Sequence, residues 1–176
     1  VSSGKFLRTL FEEKHDKYVE PQHPMYFLPN GKEFVWHSQR DGYMHLYRYN
    51  KRGKLLNQIT KGHWLVNEIV GMNEKENQLL ITATKDGAKE RHLYKVNWKN
   101  GEIERIDANP GVHQPMVNTA GTYIIDNWSN ETSPRQIDLW STDKTLFKTL
   151  LKAENPLVDY QMPTVENITL QTEDGI

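Results

Sequence analysis

The chain reads as all-β: a partial β-propeller, about three four-stranded antiparallel blades of a larger propeller. Two observations predict it. The first is a repeat. Asp41-Gly42, a hairpin-turn dipeptide, is followed by His45-Leu46-Tyr47, and Asp86-Gly87 is followed by His92-Leu93-Tyr94. The two turns lie 45 residues apart and the two triplets 47. A period of that length, built from short strands and turns, fits a propeller blade. The second observation is the apolar runs Phe34-Val35-Trp36, Leu79-Leu80-Ile81 and Tyr123-Ile124-Ile125. A strand covered on one face alternates apolar with polar residues, whereas a strand covered on both faces need not. Blades stack face to face, so all three runs are expected to be buried on both sides.

The elements follow in order. Gly4 to Phe11, GKFLRTLF, echoes Gly53-Lys54-Leu55-Leu56 and Lys144 to Leu150, both of which close a blade. Lys5 to Phe11 is therefore expected to be the outer strand of a preceding blade. Glu12 to Pro21 is a polar connection, with Glu12-Glu13 expected in a solvated turn. The first blade has strands at His23 to Leu28, Phe34 to Trp36, His45 to Tyr49 and Leu55 to Thr60. The second opens at Gly62 to Val66 and continues through Leu79 to Ile81, His92 to Val96 and Ile103 to Ile106. The third comprises Gly111 to Met116, Tyr123 to Ile125, Ile137 to Trp140 and Thr145 to Leu151. Asp159 to Pro163 reads as a linker. Asn167 to Thr172 alternates as one more strand, out of phase with the blades. The expected division is residues 1–163, one outer strand plus three blades, and residues 164–176, linker and first strand of a second, truncated domain.

Composition narrows the function. The 176 residues carry 22 basic and 23 acidic side chains, which argues against a nucleic-acid or anionic-membrane surface. No run approaches the ~18 or more apolar residues of a membrane span. With no cysteine, disulfides and thiolate chemistry are excluded. His23, His63 and His113 each open an inner strand, where three imidazoles could bind a metal. They carry no carboxylate at fixed spacing, so turn capping is the simpler expectation and no metal or cofactor is expected. His45 and His92 hold the same repeat position, which favours a structural role. The glycosylation sequons at Asn127, Asn130 and Asn167 are short, weak signals. Trp36 and Trp140 read as blade packing, with Trp64 and Trp98 open. A glycosidase would need paired carboxylates on inner strands, and Glu68 is the sole acidic residue in those segments.

The phrases SQRDGYMHLYRYNKRGKLLNQITKGHW, ATKDGAKERHLYKV and NPLVDYQMPTVENITLQTEDG resemble the amino-terminal propeller of the dipeptidyl peptidase IV branch of the prolyl oligopeptidase family of serine peptidases, in its bacterial wording. The resemblance covers essentially the whole chain. It implies a propeller that caps an α/β-hydrolase domain, in an enzyme that removes Xaa-Pro or Xaa-Ala dipeptides from polypeptide amino termini. Residues 164–176 would then begin the hydrolase domain. The resemblance further implies a peptide substrate, a partner domain in the same chain, a homodimeric parent, and a periplasmic or secreted location. No G-x-S-x-G nucleophile elbow occurs in this chain, so no catalytic residue is expected in it. The family's paired glutamates come from an earlier blade, and Glu12-Glu13 lacks their surroundings. One role carries over: Lys17-Tyr18-Val19-Glu20-Pro21 matches a segment that contributes an aromatic residue to an extended substrate subsite, which puts Tyr18 at that position. Val19 stands where some members have an arginine. The rival expectations are a tyrosine packed between blades and, for the whole chain, a non-enzymatic propeller scaffold for protein–protein binding.

Overall fold

The computed structural model describes residues 4–20, 24–161 and the single positions 163, 168 and 170. Among the described residues, twelve strands form three four-stranded antiparallel sheets in sequence order. The first holds β1 (Tyr26–Phe27), β2 (Glu33–Ser38), β3 (His45–Asn50) and β4 (Leu55–Gln58). The second holds β5 (Val66–Asn73), β6 (Gln78–Ala83), β7 (His92–Asn97) and β8 (Ile103–Arg105). The third holds β9 (Val112–Val117), β10 (Tyr123–Ser129), β11 (Gln136–Ser141) and β12 (Leu146–Lys152). Each sheet is one expected blade, and neighbouring strands are neighbours in sequence. No helix among the described residues is long and apolar enough to cross a membrane. His23 and the expected strand at 167–172 lie outside the described residues, apart from positions 168 and 170.

The turns form where the sequence supplies their chemistry. Asn50 Oδ1 accepts from the Arg52 and Lys54 amides between β3 and β4, and Asn97 Oδ1 accepts from Lys99 and Asn100 between β7 and β8. Both turns end on a left-handed glycine, Gly53 (φ 83°) and Gly101 (φ 78°). These glycines also permit close approach. A Cβ on Gly101 would collide with the Ile59 carbonyl of the first blade. A Cβ on Gly53 would collide with the Leu10 carbonyl in the same way. Leu10 therefore stands against the first blade as Ile59 stands against the second.

The segment bearing Leu10 is not a strand, contrary to expectation. A strand needs a neighbouring strand to satisfy its backbone groups, and none of the described strands forms a ladder with residues 5–11. Its end is nonetheless held. Phe11 stacks on Tyr49 (centroids 4.9 Å apart, 17°) and meets Trp36 edge-on at 5.1 Å. The second inner strand also starts later than expected, at Val66. Residues 62–65 form a bend in which Trp64 sets its ring edge-on to His45 at 4.8 Å.

The core lies between sheets. Leu79 and Ile81 pack towards the first blade with Val35, Leu46, Tyr94 and Val96. Leu80, one residue between them, packs towards the third blade with Leu93, Ile106, Ile124 and Trp140. The period-2 pleat thus sends successive residues of one apolar run to different neighbours. Trp98 is buried in the first of these cores. The third run departs from expectation: Tyr123 and Ile125 are exposed and only Ile124 is buried. No described sheet covers that face, and every residue of β12 is exposed.

Candidate functional site

Tyr18 lies on an irregular loop, 12–20, that crosses the β2–β3 turn of the first blade. Its side chain is exposed, so it does not pack between blades. His15 Nδ1 accepts from the backbone N–H of Lys17 at 3.2 Å and of Tyr18 at 3.4 Å, which curls the loop. Tyr18, Val19, Glu13 and Arg40 line a shallow cleft.

Glu13 is not in a solvated turn. Its Oε2 accepts from Trp36 Nε1 at 3.1 Å and from the Arg40 guanidinium at 3.0 Å, and its Oε1 accepts from the Ser38 hydroxyl. Ser38 Oγ in turn accepts from Arg40 Nε at 2.8 Å. The guanidinium lies over the Tyr47 ring, 4.3 Å from its centroid. Glu12, its sequence neighbour, points to solvent beside Lys14. The two carboxylates therefore do not converge on one ligand.

A second polar cluster is buried between the second and third blades. His92 Nδ1 faces Asp107 Oδ1 at 2.8 Å and its Nε2 faces Glu90 at 2.7 Å. His113 Nδ1 donates to Asp126 Oδ2 at 2.7 Å, and its Nε2 donates to the Asn109 carbonyl at 2.9 Å. Burial disfavours the charged ring of His113, but the Asp126 carboxylate, the Asp107 charge and the Asn109 carbonyl outweigh it and raise its pKa above the ordinary histidine value. His92, Asp107 and His113 bring ligand-type atoms within 4.8 Å of one another. Each imidazole nitrogen in the group already has an oxygen partner, and His113 Nε2 also lies 3.5 Å from Asp107 Oδ1, so the polar network runs from the second blade to the third. His63 lies apart, stacked on Tyr43 at 5.5 Å.

His45 makes the corresponding contacts in the first blade, to Thr60 Oγ1 at 3.0 Å and the Gly62 carbonyl at 2.9 Å. Thr60 Oγ1 and Asp107 Oδ2 also accept from the backbone N–H of Leu46 and Leu93. Sequence reasoning had the histidines as structural but missed their partners. The shared 15-residue spacing, His45 to Thr60 and His92 to Asp107, carried that signal. Asp138 was missed as well: it accepts from Trp128 Nε1 at 2.8 Å while wholly buried. Two sequons are engaged, since Asn130 donates to the Pro110 carbonyl and Asn127 accepts from Arg135. Glu68 is exposed, with no acidic neighbour on β5.

Three successive four-stranded antiparallel blades fit a propeller, and sequence comparison decides the family: the dipeptidyl peptidase IV (DPP IV) N-terminal region matches residues 1–135. The chain belongs to that family. A Bacteroides ovatus crystal structure assigned as a dipeptidyl aminopeptidase IV is 36% identical, with a TM-score of 0.82, over 93% of this chain and 26% of that one. The Porphyromonas gingivalis dipeptidyl peptidase 4 structure is 22% identical over 73% of this chain and 18% of that one; its TM-score of 0.65 shows the shared fold. Dipeptidyl peptidase 4 of Trichophyton equinum is 27% identical over 154 residues, covering 83% of this chain. This DPP IV N-terminal-region chain spans about a fifth of the length of the curated relatives it matches.

Proposed function

We propose that this chain is the substrate-gating propeller segment of a DPP IV-like serine exopeptidase that releases Xaa-Pro and Xaa-Ala dipeptides from peptide amino termini. The reading rests on family membership together with one observation: an exposed aromatic, Tyr18, stands on a loop tied to the rigid first blade. Loops positioned by rigid scaffolds commonly carry binding residues. In this reading Tyr18 packs against an apolar substrate side chain beyond the dipeptide and offers its hydroxyl to peptide polar groups. The blades wall off the active site and restrict entry to short or unfolded chains. The chemistry belongs to an α/β-hydrolase domain of the same polypeptide, in a homodimeric, periplasmic or secreted enzyme, and the 176 residues alone have no peptidase activity.

The test is dipeptide release by the full-length protein from a Gly-Pro chromogenic substrate and from longer peptides. Turnover of both is expected, with Tyr18→Ala raising KM for the longer ones. Absence of dipeptide release by the full-length protein would overturn the enzymatic reading in favour of a protein-binding scaffold.

A further inference from the structure

We infer that Glu13 is a positioning residue that holds the Tyr18 loop in its binding-competent place. The inference rests on the substrate role of Tyr18 proposed above. Residues 12–20 form no strand or helix, so their placement depends on side-chain anchors. Phe11 supplies an apolar anchor immediately before the loop, through Tyr49, Phe34 and Trp36. Glu13 supplies the polar one. Its carboxylate takes three donors from β2 and the turn after it: Trp36 Nε1, the Ser38 hydroxyl and the Arg40 guanidinium.

The receiving site is built for an acceptor. Ser38 is fully buried, accepts from both the Arg40 amide and Nε, and so directs its proton at Glu13. Arg40 is fixed on its other side by the Tyr47 ring. Charge-assisted hydrogen bonds to a half-buried carboxylate are the stronger kind. The side chain of Glu13 is 15% exposed, against 64% for Glu12, which separates an anchor from a surface charge in adjacent residues. Tyr18 is five residues further on, and the His15 turn transmits the placement to it.

Loss of the anchor lowers the fraction of molecules with Tyr18 in place, and apparent affinity falls by that fraction. The experiment uses the full-length enzyme with Glu13→Ala, Glu13→Gln and Tyr18→Ala. The first readout is the KM for a hexapeptide relative to that for a Gly-Pro chromogenic dipeptide. Glu13→Ala is expected to raise this ratio ~3- to 10-fold. Glu13→Gln, which keeps a carbonyl acceptor and loses the charge facing Arg40, should raise it less. The second readout is hydrogen exchange of the 14–20 amides, expected to quicken about tenfold in Glu13→Ala without a global change. A raised ratio in Tyr18→Ala with an unchanged ratio in Glu13→Ala overturns the positioning role and leaves the Tyr18 subsite standing. An unchanged ratio in Tyr18→Ala overturns the subsite itself, and the exchange rate then decides whether Glu13 anchors the loop. Unchanged exchange in Glu13→Ala overturns the inference outright.

Discussion

His113 donates its Nδ1 proton to Asp126 Oδ2 at 2.7 Å across β9 and β10, with both side chains buried. The bond sits where the third blade meets the second, because the His113 ring also lies 5.2 Å from that of His92. The folded-state pKa of His113 is raised above its ordinary value. A group of this sign contributes stability fully below its unfolded pKa of ~6.5 and loses it as pH rises through the folded value. The protein should therefore lose stability as pH climbs above ~6.5. Melting temperature measured from mildly acidic to alkaline pH checks this, with His113→Gln expected to flatten the alkaline fall.

Gly53 and Gly42 both have positive φ, 83° and 97°. A Cβ at Gly53 meets the Leu10 carbonyl, whereas one at Gly42 meets nothing within 4 Å. Gly42→Ala should cost about 1 kcal/mol from backbone strain alone. Gly53→Ala should cost about 2 kcal/mol more, because backbone must move. Urea denaturation of the two variants measures the difference, and equal costs would show that residues around Leu10 do not seat on the turn.

Ile81 and Ile125 lie in the second strands of their blades but face opposite ways: Ile81 is wholly buried towards the first blade, and Ile125, on the outer face of the third, is 37% exposed. Ile81→Ala should destabilise by about 2–5 kcal/mol through lost burial and a cavity between blades. Ile125→Ala should cost less than about 1 kcal/mol in this chain. Equilibrium unfolding of both variants tests whether the third blade's outer face is uncovered.

That same face predicts association. Tyr123, Ile125, Phe147 and Met116 present an apolar surface, next to β12, which is the edge strand of its sheet among the described residues. The 176-residue chain alone should sediment as a concentration-dependent oligomer. Tyr123→Lys combined with Phe147→Lys should shift it towards monomer. A monodisperse wild-type monomer would refute the idea that the uncovered face is adhesive.

Much of this was legible from the residues. The Asp-Gly turns and His-Leu-Tyr triplets set out the first two blades, since each turn demands local chemistry that few residues supply, and the strand-forming stretches from Tyr123, Ile137 and Thr145 set out the third. The family resemblance rested on the same phrases, and DPP IV N-terminal-region membership bears it out. Other features depended on neighbours distant in sequence. Residues 5–11 echo a strand, yet a strand exists only where a partner accepts its backbone hydrogen bonds. Tyr123-Ile124-Ile125 has the composition of a doubly buried run, but burial is decided by whether a sheet lies on each side. Glu13 and Glu12 are indistinguishable in sequence, and only the fold brings Trp36, Ser38 and Arg40 to one of them. The sequence by itself determined the local elements and their order. The tertiary structure decided which polar groups lost water and found partners, because desolvation and hydrogen-bond geometry are properties of the packed blades and not of any one stretch of chain.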